Sequence, residues 1–166
     1  AGTVSAVLTG TGGFTRDGTG ILTLSGANTF TDGVTVTAGT LAAGSVGAFG
    51  ANTVTVNGGT LDLGQQALAN SFILNGGSLV NGTLALGKVT ANAGTIGAVL
   101  TGTTGFTKAG TGAVTLSGAN TYTGGTTVAA GTLTAGSATA FSTGAVAING
   151  GILDLGGQTI ANNVTI

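Results

Sequence analysis

Asp62 and Asp154 stand at the same place in two copies of the tetrapeptide LDLG, and paired carboxylates are a common means of general acid–base catalysis. Such a pair must be close together, with surroundings that push the two pKa values apart. Everything else such chemistry would need is missing. The chain has no histidine, no cysteine and no glutamate, so no serine or threonine hydroxyl has a base to activate it. Arg16 and Asp17 read as a solvated neighbouring pair, with Lys108 and Ala109 at the corresponding later place. GTGG and GGTTV resemble phosphate-binding loops only in glycine content, because no helix follows to offer its N-terminus. Nothing matches the aspartate-bearing nonapeptide of calcium-binding solenoids. The residue types therefore predict no catalytic residue, no cofactor site, no metal site and no enzyme.

Two binding chemistries are left to weigh. Phe30, Phe49, Tyr122 and Phe141 would make a carbohydrate platform if exposed, but aromatic rings in register with core leucines belong more often to the core. Thr35, Thr55, Thr127 and Thr165 would make an outward, ice-binding row on an uncharged face, interrupted by Ile73 and Ala147. Threonine is in any case favoured on exposed strand faces.

Composition narrows the class. Glycine supplies 35 of 166 residues, proline is absent, and charged residues make up 4%, against roughly 25% in ordinary globular domains. Three scattered cations cannot line a basic face for phosphates, which argues against DNA or RNA as partners. No window of 18 apolar residues suggests a membrane helix, and AGTVSAVLTG lacks the form of a signal peptide. With hydrophobic residues at 42% the chain is built to fold, and the absence of cysteine is compatible with any compartment.

The elements that would position these residues come from two nested repeats. A shift of about 92 positions aligns residues 1–74 with 93–166 without a gap, and roughly 46 of about 74 positions are identical. This divides the chain into a first long repeat, 1–92, and a second, 93–166, within one solenoid. Inside it runs a finer ladder of apolar residues following glycine turns: Val4, Leu22, Leu41, Leu61, Leu79, Ile96, Val114, Leu133 and Leu153. Steps of about 17–20 residues predict about nine stacked coils, each a strand, a glycine turn and a strand. Five coils at ~4.8 Å put Asp62 and Asp154 about 24 Å apart, too far for a glycosidase pair.

Leu24, Ala43, Leu63, Ala98, Leu116, Ala135 and Leu155 continue the inward alternation, and Asn81 breaks it. The second strands are VTV at 34–36 and 54–56, FIL at 72–74, VAI at 146–148 and VTI at 164–166. Corners follow as NGG at Asn57, Asn75 and Asn149 and NAG at Asn92. Asparagine and glycine accept the positive φ expected there, and stacked asparagines can join their amides in a ladder.

The phrases GTGILTLSGANTFTDGVTVTAGTL, Gly18 to Leu41, and GTGAVTLSGANTYTGGTTVAAGTL, Gly110 to Leu133, resemble the autotransporter-associated β-strand repeat of bacterial passenger domains. That resemblance implies a right-handed parallel β-helix at the bacterial cell surface or outside the cell, serving as a rigid shaft or spacer, an adhesin or a filament-forming unit. It implies as partners the neighbouring coils of a longer chain, copies of itself end to end, or host and bacterial surface molecules. The family's signal peptide and translocator barrel are not in this sequence, which reads as a segment of something longer.

Overall fold

The computed structural model describes residues 1–166, as twenty short strands and no helix. Nine strands stack in parallel as one continuous sheet, the spine: β1 (Gly2–Val4), β3 (Ile21–Leu24), β5 (Thr40–Ala43), β7 (Thr60–Asp62), β9 (Ser78–Val80), β12 (Gly94–Ile96), β15 (Ala113–Leu116), β17 (Thr132–Ala135) and β19 (Ile152–Asp154). The chain is thus an all-β parallel solenoid. Its second face comes in two blocks. The first holds β2 (Phe14–Arg16), β4 (Val34–Val36), β6 (Val54–Val56), β8 (Phe72–Leu74) and β11 (Val89–Ala91). The other holds β14 (Phe106–Lys108), β16 (Thr126–Val128), β18 (Val146–Ile148) and β20 (Val164–Thr165). A third side carries strands only at mid-length, where β10 (Thr83–Ala85) pairs with β13 (Val99–Thr101).

Alternation decides which residues face the axis. In β4 and β6 the valines are buried and the central threonines half-exposed, as a period of two requires when one face meets the core. Thirty-two buried apolar residues form a single cluster along the axis. Each fully buried aliphatic side chain contributes about 1.5–3 kcal/mol before conformational entropy opposes it.

The spine corrects the apolar ladder in two places. Val4 pairs with Leu24 and not Leu22, and Ile96 pairs with Leu116 and not Val114. Gly2 and Gly94 instead lie beside Leu22 and Val114. A shift of two residues keeps every side chain on its own face, so apolar patterning cannot detect it. Coverage also varies: Val4 and Leu153 are partly buried and Leu155 is exposed because they lie in the outermost coils, covered by neighbours on one side only, and Leu22 is partly buried because its neighbour on β1 is Gly2, which has no side chain.

The corners need a second correction. In the NGG turns it is the second glycine that takes positive φ, at Gly59 (66°) and Gly77 (72°), with Gly94 (114°) in NAG; at Asn149 it is the first, Gly150 (144°). Asn57, Asn75 and Asn92 keep ordinary backbone angles and use their side chains. Asn75 Nδ2 donates to Asn57 Oδ1 at 2.9 Å, and Asn92 Nδ2 donates to Asn75 Oδ1 at 2.7 Å. Asn81, the interruption expected from the sequence, has a φ of 57°.

Candidate functional site

Both LDLG aspartates are held by hydrogen bonds. Asp62 accepts from Gly64 N at 2.9 Å and from Asn81 Nδ2 at 3.0 Å; Asp154 accepts from Gly156 N at 2.8 Å and from the Thr134 hydroxyl at 3.4 Å. Each caps the turn that its own glycine makes. Gly64 has φ 59° and lies so close to the Ala43 carbonyl that no Cβ would fit. β7 and β19 are five strands apart in the spine, about 24 Å at ~4.8 Å per strand. The two-residue shift at Ile96 also moves the carboxylates off a common line: Asp154 is in register with Thr134, Thr115, Thr95, Ser78 and Thr60, while Asp62 is opposite Ala42 and Val80.

The aromatic platform is ruled out. Phe30 is 5% exposed, and Phe49, Tyr122 and Phe141 are 0% exposed, all within the core. Around those rings the repeated decamer has a task its composition did not reveal. Asn28 accepts from Leu8 N of the preceding coil at 2.8 Å and donates to Ala48 O of the following coil at 2.6 Å. Asn120 does the same between Leu100 N (2.8 Å) and Ala140 O (2.6 Å). Each buried asparagine bridges three coils on the third side, where β10 and β13 are the only regular strands. Gly26 and Gly118 make this possible, because a Cβ at either would strike the carbonyl of Ala6 or Ala98. Asn70 and Asn162 brace the same side by donating to carbonyls of the preceding coil.

The cations also differ from expectation. Arg16 does not sit as a solvated partner of Asp17; it follows Phe14 by two positions and so faces inward. Its guanidinium donates to the carbonyls of Thr19 (2.6 Å), Gly20 (2.9 Å) and Thr40 (3.3 Å). Lys108, its counterpart 92 residues on, is fully buried, donates to the Gly110 carbonyl, and is held by burial below the ordinary lysine pKa. The sequence signal was available: both cations stand two residues after a phenylalanine at the start of a long repeat.

The proposed threonine row proves to be two. Thr35 and Thr55 are neighbours with Ile73 next, whereas Thr127, Ala147 and Thr165 belong to the other block of the second face. A longer run lies on the spine, where Thr40, Thr60, Ser78, Thr95, Thr115 and Thr134 occupy one register position on six successive strands. It was hidden by the two-residue shift. These side chains give the spine an outward row of hydroxyls that ends at Asp154, with Asp62 two positions from Thr60 on the same face.

Comparison with known proteins agrees with this geometry. The passenger-associated-transport-repeat family matches residues 14–43 and 106–135, each running from the cation-bearing strand through the asparagine bridge to the end of the next spine strand but one. Over 143 residues, 79% of this chain, the sequence is 39% identical to the adhesin BmaC autotransporter of Brucella suis biovar 1 (strain 1330). The match takes in 4% of that relative's length. No solved structure matches the chain. The chain is therefore a parallel β-solenoid of the autotransporter passenger-repeat type, carrying the passenger-associated-transport repeat twice.

Proposed function

We propose that the chain is a shaft segment of a passenger displayed at the bacterial cell surface, a rigid spacer whose role is mechanical and not chemical. One observation carries this reading: a single apolar cluster of 32 residues joins the coils along the axis, beside a spine of nine hydrogen-bonded strands. Load applied to one coil passes to the next through buried contacts and backbone hydrogen bonds. Asparagine bridges add connections on the third side, which carries strands only at mid-length. A second reading, adhesion by the segment itself, is supported by the relative's being an adhesin.

Beads coated with the purified chain separate the two. A spacer leaves retention on host epithelial cells, and on beads carrying the same chain, at the level of beads coated with an unrelated protein. Retention well above that level would overturn the spacer reading in favour of an adhesive surface.

A further inference from the structure

The spine is continuous, but the second face is not. β8 pairs with β11 and β14 with β16, while no backbone hydrogen bond joins β11 to β14. Spacing is not the obstacle: Phe72 to Val89 and Val89 to Phe106 are both steps of seventeen residues, and the first of them gives a regular pair. Exposure marks the same break. Thr35, Thr55 and Thr127, between paired neighbours, are half-buried, whereas Thr90 and Thr107 are as exposed as Thr15 and Thr165 on the outermost strands.

The opening is closed at both ends. On one side Leu86 N donates to Thr101 O at 2.8 Å and β10 pairs with β13; on the other, Gly110 packs so tightly on Asn92 that an added Cβ would lie 3.0 Å from its Oδ1. An extra strand would need the coils about twice the usual ~4.8 Å apart, which those two closures prevent. The slit is therefore not a docking slot for an extended peptide.

It coincides with the start of the second long repeat. In the inward register that holds Val36, Val56, Leu74 and Ala91 in one block and Val128 and Ile148 in the other, β14 brings Lys108. Its ammonium is tied to the Gly110 carbonyl of its own coil, so the apolar column is interrupted where β14 would stack on β11. Arg16 heads the first block in the same way.

We propose that this seam is a flexing joint, in which the spine acts as the hinge line and the second face opens and closes between β11 and β14. Opening leaves the amides of Val89, Ala91 and Thr107 to water; closing pairs Val89 with Phe106 and Thr90 with Thr107. Since the cation-bearing strand recurs with the long repeat, a shaft of such repeats would carry one joint every five coils, or about 24 Å. The joint belongs to the fold, and its mechanical use rests on the shaft reading.

Amide hydrogen exchange of the chain, read by NMR, tests it. Val89, Ala91 and Thr107 should exchange at least about tenfold faster than Phe72 and Leu74, which face a paired strand, because local opening sets exchange rates. Equal protection at the two sets would overturn the joint. A cysteine pair provides an independent readout: under the same oxidant, Thr35→Cys/Thr55→Cys should form a disulfide readily and Thr90→Cys/Thr107→Cys more slowly. Equal rates would mean that the seam is closed in solution. Neither measurement depends on cell retention, so failure of the joint and failure of the shaft reading are distinguishable.

Discussion

The hydroxyl of Tyr122 lies 2.6 Å from Oγ1 of Thr126, and the residues 92 positions earlier are Phe30 and Val34, neither of which carries a hydroxyl. The two copies of the repeat thus contain the whole hydrogen bond or none of it, at sites where all four residues are buried. Half of it should be worse than either. Tyr122→Phe leaves the buried Thr126 hydroxyl without its partner, and Thr126→Val leaves the Tyr122 hydroxyl only the Ala140 carbonyl at 3.5 Å, a cost of about 1–3 kcal/mol, whereas removing both groups together is close to neutral. The double variant should recover most of the loss shown by Thr126→Val. Denaturant midpoints of the four proteins measure this, and strictly additive losses would show that the two hydroxyls do not depend on each other.

The same tyrosine predicts how stability responds to alkali. Burial pushes the Tyr122 phenol from 10.0 up to about 12, opposed by a smaller downward pull from its hydrogen bond with Thr126. A group whose pKa is raised on folding contributes stability that is complete below the unfolded value and lost as pH rises through the folded one. Between about pH 10 and 12 the fold should lose on the order of 2–3 kcal/mol, a loss absent from Tyr122→Phe. The chain has one tyrosine and no tryptophan, so near-ultraviolet phenolate absorbance reports this site alone. Titration at the ordinary tyrosine pKa in the folded protein would contradict the burial argument.

Two sets of asparagines should respond very differently to alanine. Asn120→Ala removes the bridge, leaving Leu100 N buried without a partner and Ala140 O with only the Tyr122 hydroxyl at 3.5 Å, at roughly 1–3 kcal/mol for the orphaned amide. Asn57→Ala takes one exposed amide from the corner ladder and should cost no more than about 1 kcal/mol. Thermal or denaturant unfolding ranks them, and comparable losses would mean that the buried asparagines are not what joins the coils on that side.

How much could be read from the sequence depended on whether a feature is periodic. Leu41, Leu61 and Leu79 recur at the coil spacing and do face the core, and the corner ladder of Asn57, Asn75 and Asn92 followed from their even placement. The shift at Ile96 was invisible because a slip of two residues preserves facing. The bridging role of Asn28 and Asn120 could not be read locally, since both partners of each lie 20 residues away and are backbone atoms. Arg16 reads as solvated from its charge and its neighbour Asp17, while the alternation from Phe14 turns it inward, as that from Phe106 turns Lys108. The resemblance to passenger repeats covered the decamer well but said nothing of the seam between β11 and β14, where the sequence offers two strands at an ordinary spacing.

The corner at Asn57 offers a test in which steric and conformational costs separate. Gly58 does not adopt positive φ, yet a Cβ there would stand 2.6 Å from the Thr37 carbonyl oxygen of the coil beneath. Gly59 has φ 66°, and a Cβ there would lie 2.5 Å from Gly39 O and 2.8 Å from Ala38 C. Gly58→Ala therefore carries an overpacking cost of about 1–3 kcal/mol, because the obstacle is backbone held in place by its own pairing. Gly59→Ala adds left-handed strain of order 1–2 kcal/mol to a similar clash and should be the worse of the two. Thr55→Val, half-exposed in the middle of β6, keeps a β-branched side chain on a strand and should change stability by no more than about 0.5 kcal/mol. The expected order of unfolding midpoints is Thr55→Val highest, Gly58→Ala lower and Gly59→Ala lowest. If Gly58→Ala melted with Thr55→Val, coil contact at the corner would be looser than these distances require, and if the two glycine variants melted together, backbone strain would play no part in closing the turn.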